Sequence, residues 1–287
     1  MKRILVTGSS GFIGSALKKK LEESGEFVKG VDASKGYDIS DESTFNKLDY
    51  KDYSNVIHLA GKLFIPDSWN NPGSFYKTNL FGTENILEFC RRGSIPLVYI
   101  SAYLYGQPEK LPISEDDEIR PNNPYAHSKY LAEELCKFYS EYFGLKIGIL
   151  RPFNVFGIGQ NKSFLIPRII DQAINTDKIV VMSLVPKRDY IYLEDLINAI
   201  VAVKNNDRQF SVYNIGSGYS LSVKEVINTV QKVLNISKDV VSDNEERPNE
   251  IYDVVSQIER AKKDLNWEPQ YSFHDGITKI IESEVNK

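Results

Sequence analysis

The strand, glycine turn and helix start at the beginning of the chain constrain it most. Ile4-Leu5-Val6 is a short apolar strand that runs into Gly8-Ser9-Ser10-Gly11-Phe12-Ile13-Gly14, and a helical pattern then continues through Leu21. That order leaves backbone N–H groups and the positive end of a helix dipole facing an anion. The glycines let main chain approach a pyrophosphate, so Gly8, Gly11, Phe12, Ile13 and Gly14 are candidate cofactor contacts. A second strand, Phe27 to Val31, ends at Asp32, at the separation of about 20 residues that such a turn calls for. An acidic side chain there accepts hydrogen bonds from the adenosine ribose and repels a 2′-phosphate, which favours NAD over NADP. Lys35 nearby pulls the other way.

Composition narrows the partners. The 287 residues suffice for one large domain or two joined ones, and a formal charge of -4 argues against general nucleic-acid or membrane-surface binding. An anionic ligand must therefore be held by a few placed Arg, Lys or backbone N–H groups. Cys90 and Cys136 form no motif, and with no signal peptide the chain suits a reducing cytoplasm. His58, His127 and His274 are scattered, so no catalytic metal is expected. No apolar run approaches membrane-spanning length.

A third buried strand, Leu97 to Ile100, ends at Ser101-Ala102-Tyr103. In α/β sheets ligands bind beyond the carboxyl ends of the strands, so Ser101 stands where a substrate would lie. Downstream, Tyr125-Ala126-His127-Ser128-Lys129 puts a phenol and an ammonium on one helix face. A phenol with a reference pKa of about 10 is a poor base at neutral pH, and a neighbouring ammonium stabilises its phenolate. Tyr142 and Lys146 repeat the spacing, but Gly144 between them and the apolar run after Lys146 mark a helix end leading into a strand. His58 taken alone reads as a packed core residue.

The spacing Gly-x-x-Gly-x-x-Gly resembles the extended short-chain dehydrogenase/reductase family, in its NAD-dependent epimerase/dehydratase branch. Asp38-Ile39 resembles the family's adenine contact, Leu59-Ala60-Gly61 the turn beneath the cofactor, and Asn79-Leu80-Phe81-Gly82-Thr83 the helix start beside it. Ser101, Tyr125 and Lys129 match its Ser-Tyr-Lys triad. Arg151-Pro152-Phe153-Asn154, Lys187-Arg188-Asp189-Tyr190, Arg247-Pro248 and Trp267-Glu268-Pro269 resemble its later motifs, with Met182-Ser183-Leu184 replacing a usual Gly-Asp-Gly turn.

The resemblance implies a fold, a site and a chemistry. The fold is α/β, a Rossmann-type doubly wound parallel sheet with a smaller mixed α/β substrate-binding cap. Residues 1–155 plus 188–216 would bind NAD, and 156–187 plus 217–287 would form the nucleotide-sugar cap. Tyr125 would exchange a proton with the sugar, Lys129 lower its pKa and bond the nicotinamide ribose, Ser101 orient the reacting oxygen, and Asn79 support Lys129 through a water. Substrate contacts would come from Ser101, Ala102, Tyr103, Asn154, Arg188 and Arg247, the two arginines meeting the diphosphate. The partner would be a nucleotide-diphosphate sugar, and similar proteins form homodimers through two long helices of the sheet domain.

The residues after Ser101 narrow the reaction. The family's 4,6-dehydratases carry Asp and Glu where Ala102 and Tyr103 stand, and its 3,5-epimerising members carry Cys at Tyr103. An NAD-dependent nucleotide-sugar epimerase acting at C4 is the first expectation. An NAD(P)H-dependent 4-keto-6-deoxy nucleotide-sugar reductase is the second, since such enzymes share the Tyr and the short stretch from Val31 to Asp41. A non-catalytic NAD-binding regulator is disfavoured, because a sensor needs no proton shuttle.

Overall fold

The computed structural model of the protein describes residues 2–243 and 250–285. Its elements run β1 (Arg3–Thr7), α1 (Phe12–Glu23), β2 (Val28–Val31), β3 (Tyr53–His58), α2 (Ile65–Asn70), α3 (Pro72–Phe75), a π-helical turn (Tyr76–Phe81), α4 (Gly82–Gly93), β4 (Leu97–Ile100), α5 (Pro124–Phe143) and β5 (Ile147–Pro152). Then follow β6 (Asn154–Phe156), α6 (Leu165–Asn175), β7 (Lys178–Val181), β8 (Lys187–Arg188), β9 (Tyr190–Tyr192), α7 (Leu193–Lys204), β10 (Phe210–Ile215), β11 (Leu221–Ser222), α8 (Val223–Leu234), β12 (Asp239–Ser242), α9 (Glu259–Leu265) and α10 (Phe273–Val285). The chain divides into two compact units, one of Met1–Gly106, Asp116–Pro152 and Ile197–Tyr213, the other of Gln107–Glu115, Phe153–Leu196 and Asn214–Lys287.

A six-stranded sheet in the order β10-β5-β4-β3-β1-β2 is built by the first unit, and β1 pairs in parallel with both β2 and β3. The order reverses at β1, and such a switch point opens a crevice at the carboxyl ends of the strands. The strands are short apolar runs because both faces are covered: every residue of β4 and β5 is buried. Leu5, Val56, Tyr99 and Ile149 pack with Ile86 and Leu87 of α4 and Ala132 and Cys136 of α5. Each such aliphatic side chain removed from water contributes roughly 1.5–3 kcal/mol before entropy is charged.

α5 starts where its sequence dictates. Asn123 caps it by accepting the Ala126 N–H at 2.8 Å, Pro124 occupies the first turn, and Gly144 ends it in the left-handed region at φ 67°. Tyr142 and Lys146 are thus divided by the helix end, and Lys146 pairs with Asp207. Between β2 and β3 the chain makes three 3₁₀ turns, each capped by an Asp (Asp32, Asp41, Asp49) that accepts an N–H two residues on.

In the second unit α6, α8 and α10 share one core, in which Ile169, Ile227 and Ile277 are buried, over three two-stranded pairings, β6 with β9, β7 with β12 and β8 with β11. Ser222 and Glu225 form a reciprocal capping box at the start of α8.

One polar interaction in the first unit is buried outright. Arg151 on β5 meets Glu133 on α5 at 2.6 Å, with side chains 6% and 5% exposed, and also donates to the Tyr105 hydroxyl at 2.8 Å. Removing one partner strands a buried charge, whereas apolar replacement of both is close to neutral. Glu133→Ala is therefore expected to lower unfolding free energy by about 3–5 kcal/mol in urea titrations, and Glu133→Leu with Arg151→Met to recover most of it. A loss below about 1 kcal/mol would show the pair to be incidental.

Candidate active site

The glycine turn after β1 is a backbone cradle. Gly8 holds φ +68°, and a Cβ on it would lie 2.7 Å from the Ala60 nitrogen in the turn after β3. A Cβ on Gly14 would lie 2.1 Å from the Gly8 carbonyl oxygen. Both positions accept only glycine, because real Cβ contacts are never that short and only Gly adopts positive φ freely. Gly11 is the cap residue of α1 and gives it no side-chain cap, so no capping side chain takes up the free N–H groups of the first turn, at Phe12, Ile13 and Gly14. Such a terminus suits a pyrophosphate.

Asp32 closes the cradle from β2. One carboxylate oxygen accepts the Ser10 N–H at 3.1 Å, and the other accepts the Ser34 N–H at 3.0 Å and its hydroxyl at 2.7 Å. Burial alone would raise its pKa, but the hydrogen bonds from Ser34 and Ser10 outweigh it and hold the carboxyl below the usual range. Asp38 is exposed and accepts from Ser40, whereas Ile39 is buried and its carbonyl accepts the Asn85 amide at 2.9 Å. Leu59 and Ala60 are half-buried and Gly61 exposed, with the Ala60 N–H donating to the Thr7 hydroxyl at 3.1 Å. These residues fit a dinucleotide: an anion-binding turn, an open helix end and an ionised carboxylate.

At the carboxyl end of β4, Ser101 is 4% exposed and its hydroxyl has no hydrogen-bond partner in the protein. A buried hydroxyl left without a partner costs about 1–3 kcal/mol, so this one is free to take a hydrogen bond from a ligand. Ala102 beside it is buried, and the Tyr103 hydroxyl donates to the Gly106 carbonyl at 2.6 Å. Tyr125 is half-buried in the first turn of α5, edge-on to Phe75 at 6.4 Å.

Lys129 is buried, and its Nζ donates to the Ile100 carbonyl at 2.6 Å over the face of Tyr99, 4.3 Å from the ring centroid. Burial lowers its pKa to about 8, against the raising field of Glu133. Burial also drives the Tyr125 phenol up to about 12. The lowering of Tyr125 by Lys129 expected from the four-residue spacing does not operate in this arrangement, because the ammonium is turned onto the Ile100 carbonyl.

Asn79 in the π-helical turn is buried. Its amide donates to the Lys62 carbonyl and the Ser128 hydroxyl, each at 2.9 Å, and its carbonyl oxygen accepts the Lys62 N–H at 2.8 Å. Both amide protons are therefore used to pin the 61–62 segment to α5. Tyr99 under Lys129, Glu133 acting on its charge and Arg151 paired with Glu133 are not singled out as site residues from sequence. An acid one helical turn after Lys129, opposite an Arg that ends an apolar strand, was the available signal.

In the second unit Asn154 starts β6, and its amide donates to the Asp189 carbonyl at 3.2 Å. Arg188 on β8 pairs with Glu250 and donates to the Ile251 carbonyl at 2.5 Å. A carboxylate thus already holds the guanidinium assigned to a diphosphate. Asp189 beside it is fully buried and accepts from Ser217, Gly218 and Ser256, fixing the segment after β10. Arg247 lies outside the described residues. Among the described residues no group of three or more His, Cys, Asp or Glu could hold a metal ion, and no helix is long and apolar enough to cross a membrane.

Residues 4–216 match the NAD dependent epimerase/dehydratase family, and the chain belongs to it. Members of that family are enzymes that use NAD to epimerise, dehydrate or reduce nucleotide sugars. A GDP-6-deoxy-D-mannose reductase of Pseudomonas aeruginosa is 29% identical over 98% of this chain and 96% of its own. A UDP-glucose 4-epimerase of Lacticaseibacillus casei is 29% identical over 99% and 96%. The structure of RMD from Pseudomonas aeruginosa complexed with NADPH superposes with a TM-score of 0.90 at 28% identity, over 98% of each chain.

The buried ammonium has a pH signature. A lysine whose pKa falls from 10.5 unfolded to about 8 folded binds fewer protons in the native state between those values, so its contribution to stability rises with pH there. Between pH 7 and pH 10.5 the stability of the wild type relative to Lys129→Met is expected to improve by about 3 kcal/mol in urea titrations. Parallel pH profiles for the two proteins would contradict the burial of a titrating lysine at this point.

Proposed function

We propose that this chain is an NAD-dependent nucleotide-sugar epimerase that inverts C4 through a transient 4-keto sugar. One observation carries the reading: Ser101 presents a buried, unpartnered hydroxyl at the end of β4, and no acid follows it at Ala102 or Tyr103. A hydroxyl there accepts or donates to a sugar oxygen, whereas elimination of water needs a carboxyl group beside it. NAD, when bound, would supply the hydride acceptor and donor for the sugar carbon. The protein does the rest. Tyr125, as its phenolate, takes the proton of the C4 hydroxyl and gives it back to the ketone, Ser101 orients that oxygen, and Lys129 holds the nicotinamide ribose. In the second unit Asn154 and Arg188 meet the nucleotide sugar, Arg188 by exchanging Glu250 for a diphosphate oxygen.

The Asp32 carboxylate supports NAD, since a 2′-phosphate would be placed against a fixed negative charge. An epimerase returns the hydride it removes, so a retained NAD serves every turnover. A single reduction at C4 is the second reading, favoured by the relative named a GDP-6-deoxy-D-mannose reductase and by Tyr103. We place the protein in the cytoplasm, where its buried free thiols Cys90 and Cys136 stay reduced.

A homodimer is the assembly we infer. Phe138 and Tyr142 lie one turn apart on α5 with ring centroids 4.7 Å apart, 48% and 65% exposed, and Phe81 before α4 is 54% exposed. Aromatic side chains exposed together suit burial against a second copy.

Three measurements decide these points. Purified protein is expected to carry NAD and to interconvert C4 epimers with no added cofactor, and stoichiometric consumption of NAD(P)H would favour the reductase reading. Tyr125→Phe should lose activity by about 10²–10⁴-fold while still binding NAD, and full activity would remove the shuttle. Light scattering should give twice the chain mass and Phe138→Glu a monomer; a monomeric wild type would refute the dimer.

A further inference from the structure

His58 is 1% exposed, yet both of its ring nitrogens face hydroxyls. Nδ1 lies 2.7 Å from the Thr7 hydroxyl and Nε2 lies 3.1 Å from the Thr83 hydroxyl. The proton positions follow from the neighbours. The Thr83 hydroxyl sits 2.6 Å from the Asn79 carbonyl, which can only accept, so Thr83 directs its proton there. Its oxygen must then accept from His58, which puts the ring proton on Nε2. Nδ1 is left as an acceptor and takes the Thr7 proton. The Thr7 oxygen in turn accepts the Ala60 N–H at 3.1 Å.

The outcome is a one-way chain from Ala60 N–H through Thr7, His58 and Thr83 to the Asn79 carbonyl. It starts under the Gly8 cradle, since a Cβ on Gly8 would meet the same Ala60 nitrogen. It continues beyond Asn79, whose amide donates to the Ser128 hydroxyl, which donates to the Tyr125 carbonyl at 2.7 Å. Every partner is buried or half-buried, where an unmade hydrogen bond is costly. The chain therefore crosses the ends of β1 and β3, the π-helical turn and the first turn of α5.

We propose that His58, held as the neutral Nε2–H tautomer, is a positioning residue that sets the glycine cradle in register with the helix carrying Tyr125. The inference rests on the NAD reading for its consequence, and on geometry alone for its tautomer. Only a neutral imidazole offers a rigid donor on one edge and an acceptor on the other. A cationic ring would present a second donor to Thr7 and reverse that link. Burial first, and then the neighbouring ammonium, oppose such a charge. Lys129 of α5 adds repulsion to burial and the ring is pushed down to about 3, while Tyr99 of β4 packs on it at 5.5 Å.

Nitrogen-15 NMR of the full-length protein with labelled histidine tests the tautomer. His58 is expected to report a neutral ring protonated at Nε2 with no titration between pH 5 and pH 8. In Thr83→Val the Nε2 proton loses its acceptor, and signal from the Nδ1–H form should appear. Calorimetric NAD binding tests the consequence. His58→Leu should weaken NAD by about 10-fold or more, and His58→Gln, which keeps one donor and one acceptor, by about 3-fold or less. Thr7→Val and Thr83→Val each break the same chain, so their effects on NAD affinity should be less than additive. A ring protonated at Nδ1 or cationic at pH 7 overturns the proposal, as do equal NAD affinities for the Leu and Gln variants or strict additivity of the threonine pair. A wild type that binds no NAD would instead refute the cofactor reading, and the tautomer measurement would still decide the chain.

Discussion

Lys129 is the point on which the rest of this structure depends. Its ammonium is buried, and a buried charge persists only where it is hydrogen-bonded and compensated. The Ile100 carbonyl at the end of β4 and the face of Tyr99 provide the first condition. Glu133, one helical turn on, provides the second, and Arg151 on β5 in turn holds Glu133 in place. A helix, two strands and the start of the loop that carries Ser101 are thus locked by one charge and its partners. That lock fixes where the phenol of Tyr125 stands relative to the strand ends.

The polar interior continues on the cofactor side. Thr7, His58, Thr83 and Asn79 would each be a liability alone in an apolar core, and together they satisfy one another. The π-helical turn at Tyr76–Phe81 places Asn79 where its amide reaches both Lys62 and Ser128. Such turns insert a residue into a helix and commonly mark functional places. Here the turn passes the backbone of the 61–62 segment to the helix of the candidate phenol.

Much of this was readable in the residues. Ile4–Val6, Leu97–Ile100 and Ile147–Leu150 are apolar runs bounded by turn residues, and each became a strand of the central sheet. Gly144 announced the C-terminal end of α5, because such caps act through neighbouring backbone groups. Other features resisted. His58 is the packed residue its apolar run suggests, but its two hydroxyl partners are 51 and 25 residues away in the chain and leave no local sign. The Arg188–Glu250 pair joins residues 62 apart, so nothing near Arg188 revealed that a carboxylate already holds it. The Asp-capped 3₁₀ turns after β2 carry no periodic apolar signal and left no trace in the pattern.

The sequence by itself determined the order of strands and helices, the glycine turn and the identity of the Ser, Tyr and Lys at family spacing. Those properties depend on neighbours within a few residues: periodicity, capping and the absence of a Cβ. Tertiary structure alone decided which way the Lys129 ammonium turns, which nitrogen of His58 carries the proton, and that the Ser101 hydroxyl is buried without a partner. Burial and hydrogen-bond direction are set by groups far apart in the chain, and no local pattern encodes them.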